Sequence, residues 1–175
     1  MEDYYEHMFY VPLIHIESRN WEKKQKLLLD QLNKTNLSLC DDITTDYFNG
    51  TKNLNNFIQE LFNDELDLFL EKINYKTKEI HSSWFEISKT GNHHVVHNHG
   101  FYGYSAVCFI KFNENVHKPT IFLSPFFNFL NGNVLEHIPS VNEGSIIFFP
   151  SAIMHYTRPN TSDQDRIILS FNIRD

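Results

Sequence analysis

The spacing of hydrophobic positions changes its period near residue 75. Before that point Trp21, Leu28 and Leu32 recur at helical spacing among charged residues, which predicts a first helix from Trp21 to about Leu32 with Asn20 as its N-cap. Leu54, Phe57, Ile58, Leu61, Phe62, Leu66, Phe69 and Ile73 then follow i, i+3, i+4, i+7 spacing. That pattern predicts one long amphipathic helix, capped by Thr51 or Asn53 and lying on a broad apolar surface. Phe9 to Ile16 is rich in β-formers and predicts a short first strand, which Pro12 confines to an edge or to a strand start. Thr35 to Gly50 has no clear period and reads as loop.

After residue 75 the period is two. The runs are Ile80 to Ser88, His94 to His99, Tyr104 to Phe112, Thr120 to Leu123, Ser145 to Phe149 and Arg166 to Ile173, separated by turn residues such as Gly91-Asn92 and Asn131-Gly132-Asn133. Helices followed by six or more short strands predict an α+β protein, a barrel or jelly roll backed by two N-terminal helices. A chain of 175 residues fits one domain, with residues 1–75 as mainly helical support and 76–175 as the jelly-roll core.

Composition narrows the partners. A net charge of -7 and a pI near 5.8 argue against a nonspecific nucleic-acid or anionic-membrane surface. The start Met1-Glu2-Asp3-Tyr4-Tyr5-Glu6 is acidic where a signal peptide is basic, and no apolar run reaches the roughly 18 residues of a membrane span, so a cytoplasmic location is expected. Cys40 and Cys108 form neither a CxxC pair nor a disulfide framework, which suits a reducing compartment. The run Ile121 to Phe129 has two readings: core under the barrel rim, or an apolar substrate lid or subunit contact that would make a homodimer.

The chemistry concentrates in His93-His94-Val95-Val96-His97-Asn98-His99-Gly100. In a strand His97 and His99 share a face about 6 to 7 Å apart, a chelating geometry. An HxH pair alone is a weak signal, and its bland alternative is a set of unrelated polar residues at strand ends. Context strengthens it. Gly144 to Pro150 reads as a buried strand whose end can bring His155 back to the first two imidazoles, and Arg166 opens the last strand with Ile168, Ser170 and Asn172 on its face. Three such ligands leave metal positions open for a bidentate keto acid and O2, as in non-haem iron oxygenases, and a guanidinium binds a carboxylate bidentately. Arg166 could equally be a charge that blunts a strand edge, and Ser170 and Asn172 could assist the keto acid's carboxylate or bond to backbone at a strand end. A His93/His97 zincin pair is disfavoured by the missing HExxH glutamate and by Val95-Val96.

On these residues the chain resembles the 2OG-Fe(II) oxygenases of the double-stranded β-helix fold that are frequent in marine bacteria and their phages. The matching runs are Trp84 with Gly91 and His97-Asn98-His99, then Ser105-Ala106-Val107, Phe149-Pro150-Ser151-Ala152-Ile153-Met154-His155, and Arg166 through Ser170-Phe171-Asn172, with Phe9-Tyr10-Val11-Pro12-Leu13 at the start. The resemblance implies that His97 and His155 are iron ligands and that Arg166 anchors 2-oxoglutarate. His99 stands where the wider superfamily places Asp or Glu, Cys108 and Phe109 where the family tends to carry tyrosines, and Glu86 and His94 where it tends to carry asparagines. The expected protein is therefore an Fe(II)- and 2-oxoglutarate-dependent dioxygenase, a hydroxylase, with metal residues His97, His99 and His155, cofactor residues Arg166 and Ser170, and 2-oxoglutarate and O2 as cosubstrates. Two alternatives stay open: a cupin-like three-histidine metalloenzyme that does not use 2-oxoglutarate, and a degenerate jelly roll kept as a binding module.

Overall fold

The structure, a computed structural model, describes residues 9–40, 42–49 and 52–174. In chain order its elements are β1 (Ile14–Glu17), α1 (Trp21–Leu32), β2 (Ser38–Cys40), β3 (Ile43–Thr45), α2 (Lys52–Leu61), α3 (Asn63–Ile73), β4 (Ile80–Ser88), β5 (His94–His97), β6 (Tyr104–Lys111), β7 (Ile121–Phe127), β8 (Val134–His137), β9 (Ser145–Pro150), β10 (His155–Thr157) and β11 (Arg166–Ile173). The strands form two antiparallel sheets, a large one in the order β1-β9-β6-β11-β4-β3-β2 and a small one in the order β5-β10-β7-β8. This is the jelly roll that the strand pattern predicts and the double-stranded β-helix that the family resemblance implies.

Strand β11 lies at the centre because both of its faces are apolar enough, or well enough partnered, to be buried: all eight residues are. Ile167, Leu169, Phe171 and Ile173 point to the helical side, where they join Leu28, Leu54, Ile58, Phe62, Leu66 and Phe69 in one cluster. Phe69 stacks on Phe148 with ring centroids 4.6 Å apart, and Phe62 on Phe171 at 6.2 Å. Burying each such ring contributes roughly 1.5–3 kcal/mol. The other face packs Val107, Phe109, Ile147, Phe149 and Ile168 against Phe122 of the small sheet. Gly144, at the turn into β9, is required twice over: its φ is +89°, and a Cβ there would meet the Trp21 ring at 2.8 Å.

The helices back the large sheet as expected, but the long helix is two. It breaks at Phe62 (φ -107°, ψ 21°), whose N–H still bonds Ile58 O and whose carbonyl accepts from Leu66 N–H. The apolar stripe crosses the break unbroken, so periodicity does not reveal it; Asn63 and Asp64, poor helix-interior residues, and the acidic first turn of Asp64 and Glu65 mark it. Glu65 is buried and accepts from Ser18 Oγ, Arg19 N and Lys24 Nζ, tying α3 to the turn between β1 and α1. Burial acts to raise its pKa, but Lys24 and Ser18 together hold it below the usual range.

Other expectations change in detail. Asn20 precedes α1 but makes no side-chain cap; it sits in the left-handed region (φ 53°) and its carbonyl accepts from Lys23 and Lys24. Thr51, the alternative cap of the second helix, lies outside the described residues. The predicted first strand shortens to Ile14–Glu17 at the sheet edge, and the predicted loop at 35–50 holds β2, β3 and a 3-10 turn at Tyr47–Asn49. Three strands of the large sheet therefore come from the first 75 residues, which do more than supply helices. The run Ile121 to Phe129 divides: Ile121 and Phe122 are core, while Phe126, Phe127 and Phe129 are 50%, 65% and 97% exposed. Among the described residues, no helix is long and apolar enough to cross a membrane.

Candidate metal centre

His97 ends β5, and His155 opens β10 directly opposite it in the antiparallel register. The strand does not continue to His99, as the sequence pattern suggests; it stops at His97, and the turn beyond is fastened by a hydrogen bond from His99 N–H to Ser151 O at 2.9 Å. That turn still brings the imidazoles together. Ring centroids are 4.3 Å apart for His97 and His155, 4.8 Å for His99 and His155, and 5.3 Å for His97 and His99. One nitrogen from each ring lies within 4.8 Å of the others, a grouping able to hold a metal ion.

The hydrogen bonds of these rings assign their tautomers. His97 Nδ1 is 2.8 Å from Val95 O, His155 Nδ1 is 2.9 Å from Ile153 O, and His99 Nδ1 is 2.9 Å from Asn172 Oδ1. A carbonyl oxygen cannot donate, so each Nδ1 carries the proton and each Nε2 keeps its lone pair. The orientation of Asn172 is fixed as well. Its Oδ1 accepts from Ser105 Oγ at 2.7 Å while its Nδ2 donates to Ser82 Oγ at 2.9 Å, and Ser105 is in turn 2.8 Å from Ser151 Oγ. Such outer hydrogen bonds orient metal-binding imidazoles.

Burial is the main reason that all three imidazoles are harder to protonate than usual, and mutual repulsion adds to it. His155 is brought down to about 3 and His99 to about 4, with His97 also lowered. At neutral pH they are uncharged nitrogen donors.

Arg166 lies on the same face of β11 as Ser170 and Asn172. It is 3% exposed, its guanidinium stands 5.6 Å over the Phe109 ring, and it donates to Thr120 Oγ1 at 3.2 Å. Its Nε has no partner among the described residues. Burial lowers its pKa to about 10, partly countered by Glu86, so it remains a cation at neutral pH. A buried guanidinium with an unmet N–H needs an acceptor, and an anionic ligand is one that supplies it.

Thr120 and Ser170 line a narrow inner cavity of about 10 Å³ together with the three imidazoles. An outer cleft of about 380 Å³ opens on His97 and His99 and is walled by Tyr47, Phe48, Trp84 and Arg174.

Four residues take parts that the sequence pattern does not assign. Asn172 orients His99. Thr120 holds Arg166. Glu86 is buried, accepts from Trp84 Nε1 at 2.9 Å and lies 3.4 Å from His94 Nδ1. His94 stacks on His97 with centroids 3.9 Å apart but is not one of the metal-grouped nitrogens, while His93 turns to Asp42 at 3.5 Å. The period-two pattern places Glu86 on the inner face beside Trp84; its partners, far away in sequence, leave no local trace.

The family described as "Putative 2OG-Fe(II) oxygenase" matches residues 82–172, which include the three imidazoles, Glu86, Thr120, Arg166, Ser170 and Asn172. No curated protein matches the chain. Among solved structures, a Pseudomonas putida prolyl-4-hydroxylase is 13% identical with a TM-score of 0.65, covering 93% of this chain and 91% of its own. The α-ketoglutarate-dependent epimerase SnoN of nogalamycin biosynthesis is 10% identical with a TM-score of 0.72, covering 93% and 77%. HygX from Streptomyces hygroscopicus, solved with nickel, 2-oxoglutarate and hygromycin B bound, is 10% identical with a TM-score of 0.65, covering 93% and 82%. At these identities the likeness is one of fold.

Proposed function

The chain belongs to the 2OG-Fe(II) oxygenase family, and from that premise we propose that it is an Fe(II)- and 2-oxoglutarate-dependent dioxygenase, a hydroxylase, with His97, His99 and His155 holding the iron. Arg166, assisted by Ser170, receives the far carboxylate of 2-oxoglutarate. The observation that carries this reading is the shared hydrogen-bonding pattern: buried His155 and half-buried His97 and His99 each donate Nδ1–H to an oxygen and keep the Nε2 lone pair for a metal. The donor set fits the group, since the rings are neutral at physiological pH and the unmet Nε of Arg166 fits a carboxylate.

Bound iron supplies the activation of O2 that couples oxidative decarboxylation of 2-oxoglutarate to attack on a substrate C–H bond. The protein's own contribution is placement. Val95 O, Ile153 O and Asn172 Oδ1 keep the rings from rotating, and Thr120 keeps the guanidinium extended under Phe109. Phe122, Phe149 and Ile168, packed behind the imidazoles, exclude water from the keto acid's side. The inner cavity is narrow and brings Ser170 and Thr120 beside the three imidazoles. The outer cleft is open to a primary substrate on the His97 and His99 side.

Hydroxylation is the default reaction. The epimerase among the similar folds shows that the fold itself does not choose one. The three-histidine alternative without 2-oxoglutarate is disfavoured by Arg166, a buried cation that such a site does not need.

The test is turnover. Iron-loaded protein should convert 2-oxoglutarate to succinate and CO2 with O2 uptake, slowly even without the primary substrate, and Arg166→Ala should raise the KM for 2-oxoglutarate. Protein that binds metal yet consumes no 2-oxoglutarate supports the three-histidine alternative instead.

A further inference from the structure

Three imidazoles are neutral ligands, so the centre lacks the negative charge that a carboxylate ligand brings to a divalent ion. A carboxylate nevertheless stands at its wall. Glu86 projects from β4 and is 4% exposed; one oxygen accepts from Trp84 Nε1 at 2.9 Å, and the other lies 3.4 Å from His94 Nδ1. The His94 ring in turn stacks 3.9 Å from that of His97. Glu86 lines the narrow cavity that contains His97, His99, His155 and Ser170, and also the outer cleft, so it sits where the two meet.

No other acid lines that cavity among the described residues. The two other buried acids are committed elsewhere: Asp46 accepts from Phe85 N–H at 2.7 Å, and Glu65 pairs with Lys24 at 2.7 Å. Among the described residues Glu86 has no lysine or arginine at contact distance; the imidazole of His94 is its ionisable neighbour, and it shares the cavity wall with all three metal-grouped imidazoles. Burial opposes its ionisation, but His94, Trp84 and Arg166 together hold its pKa at about 2, so the charge is present at neutral pH.

We propose that Glu86 is the outer carboxylate of the metal centre: from the cavity wall it supplies the negative charge that His99, standing where a carboxylate ligand is expected, does not. The inference rests on the reading that the three imidazoles bind a divalent metal. Its signature is a pair of effects of opposite sign. In a poorly screened interior, a fixed negative charge strengthens the hold on a cation and weakens the hold on the dianion 2-oxoglutarate. A residue that merely props up the fold would support both.

Glu86→Gln removes the charge and keeps the shape and an oxygen for Trp84. Metal affinity is measured without O2 by titrating Co(II) or Zn(II) against a chromophoric chelator, and 2-oxoglutarate affinity by calorimetry on metal-saturated protein. The variant should bind metal about tenfold or more weakly and 2-oxoglutarate more tightly than the wild type. Trp84→Phe, which leaves the charge in place, and Glu86→Asp, which keeps it on a shorter stem, should each stay within about threefold of wild-type metal affinity. If Glu86→Gln does not fold, the pair Glu86→Asp and Glu86→Asn, alike in shape and different in charge, carries the test, with only Glu86→Asn expected to weaken metal binding. Unchanged metal affinity in Glu86→Gln overturns the proposal, as does a joint weakening of metal and 2-oxoglutarate, or a Glu86→Asp variant as weak as Glu86→Gln. Wild-type protein that binds no divalent metal overturns the three-histidine reading itself, an outcome visible before any variant is made.

Discussion

The two faces of β11 put one strand to opposite uses. Toward the helices it offers Ile167, Leu169, Phe171 and Ile173, and nothing there needs a hydrogen-bonding partner beyond the sheet's own ladder. Toward the small sheet it offers Arg166, Ile168, Ser170 and Asn172, and there partnering decides everything. On the first face the free energy lies in packing. On the second, Asn172 has its amide fully engaged, while the Nε of Arg166 is left unmet for a ligand. Fold and chemistry are thus separated by residue parity, and a one-residue slip in register would exchange them.

That separation can be broken or sharpened by substitution. The largest effect is expected at the centre itself: His155→Ala should abolish stoichiometric metal binding, measured by metal analysis after anaerobic reconstitution, while the circular dichroism of the fold persists. On the opposite face Phe171→Ala should cost about 3–5 kcal/mol in denaturant unfolding and leave the metal affinity of the folded molecules unchanged. A parallel fall in metal affinity would show that the faces are not independent. Arg166→Ala should weaken 2-oxoglutarate binding by about 2 kcal/mol or more with metal binding retained, as read by calorimetry. Asn172→Ala removes the acceptor of the His99 Nδ1–H and should lower metal affinity by about 10–100-fold, less than loss of a ligand.

The smallest effect concerns pH. In the folded protein burial lowers the pKa of His155 to about 3 and of His99 to about 4, whereas in the unfolded chain an imidazole titrates near ~6.5. Below that value the unfolded state takes up protons that the folded state refuses, so the metal-free protein should lose stability as pH falls from about 6.5 toward 4. Above about pH 7.5 both states are neutral and this contribution is flat. Denaturant midpoints measured across that range should show the slope, and His99→Asn should reduce it.

What the sequence reveals follows the length of each pattern. α1, β4 and β11 run 12, 9 and 8 residues, long enough for their period to locate both ends. Arg166 stands out because it opens one of these runs, whereas His97 and His155, on the short β5 and β10, stand out by residue type and by the family resemblance. β2, β3, β8 and β10 have only three or four residues each, no more than two repeats, and are strands because a neighbour pairs with them. The break at Phe62 was hidden by its own apolar continuity. The support of His99 by Asn172 spans 73 residues, and only the fold brings the two together. The same holds for Glu86, whose place on a face was readable but whose cavity was not.

The most direct test of the account is an anaerobic titration of the metal-free protein, first with Fe(II) and then with 2-oxoglutarate. The account predicts a weak visible charge-transfer band that grows to one equivalent of 2-oxoglutarate, is absent in His155→Ala and needs more 2-oxoglutarate in Arg166→Ala. Wild-type protein that takes up Fe(II) and shows no band on adding 2-oxoglutarate would contradict it.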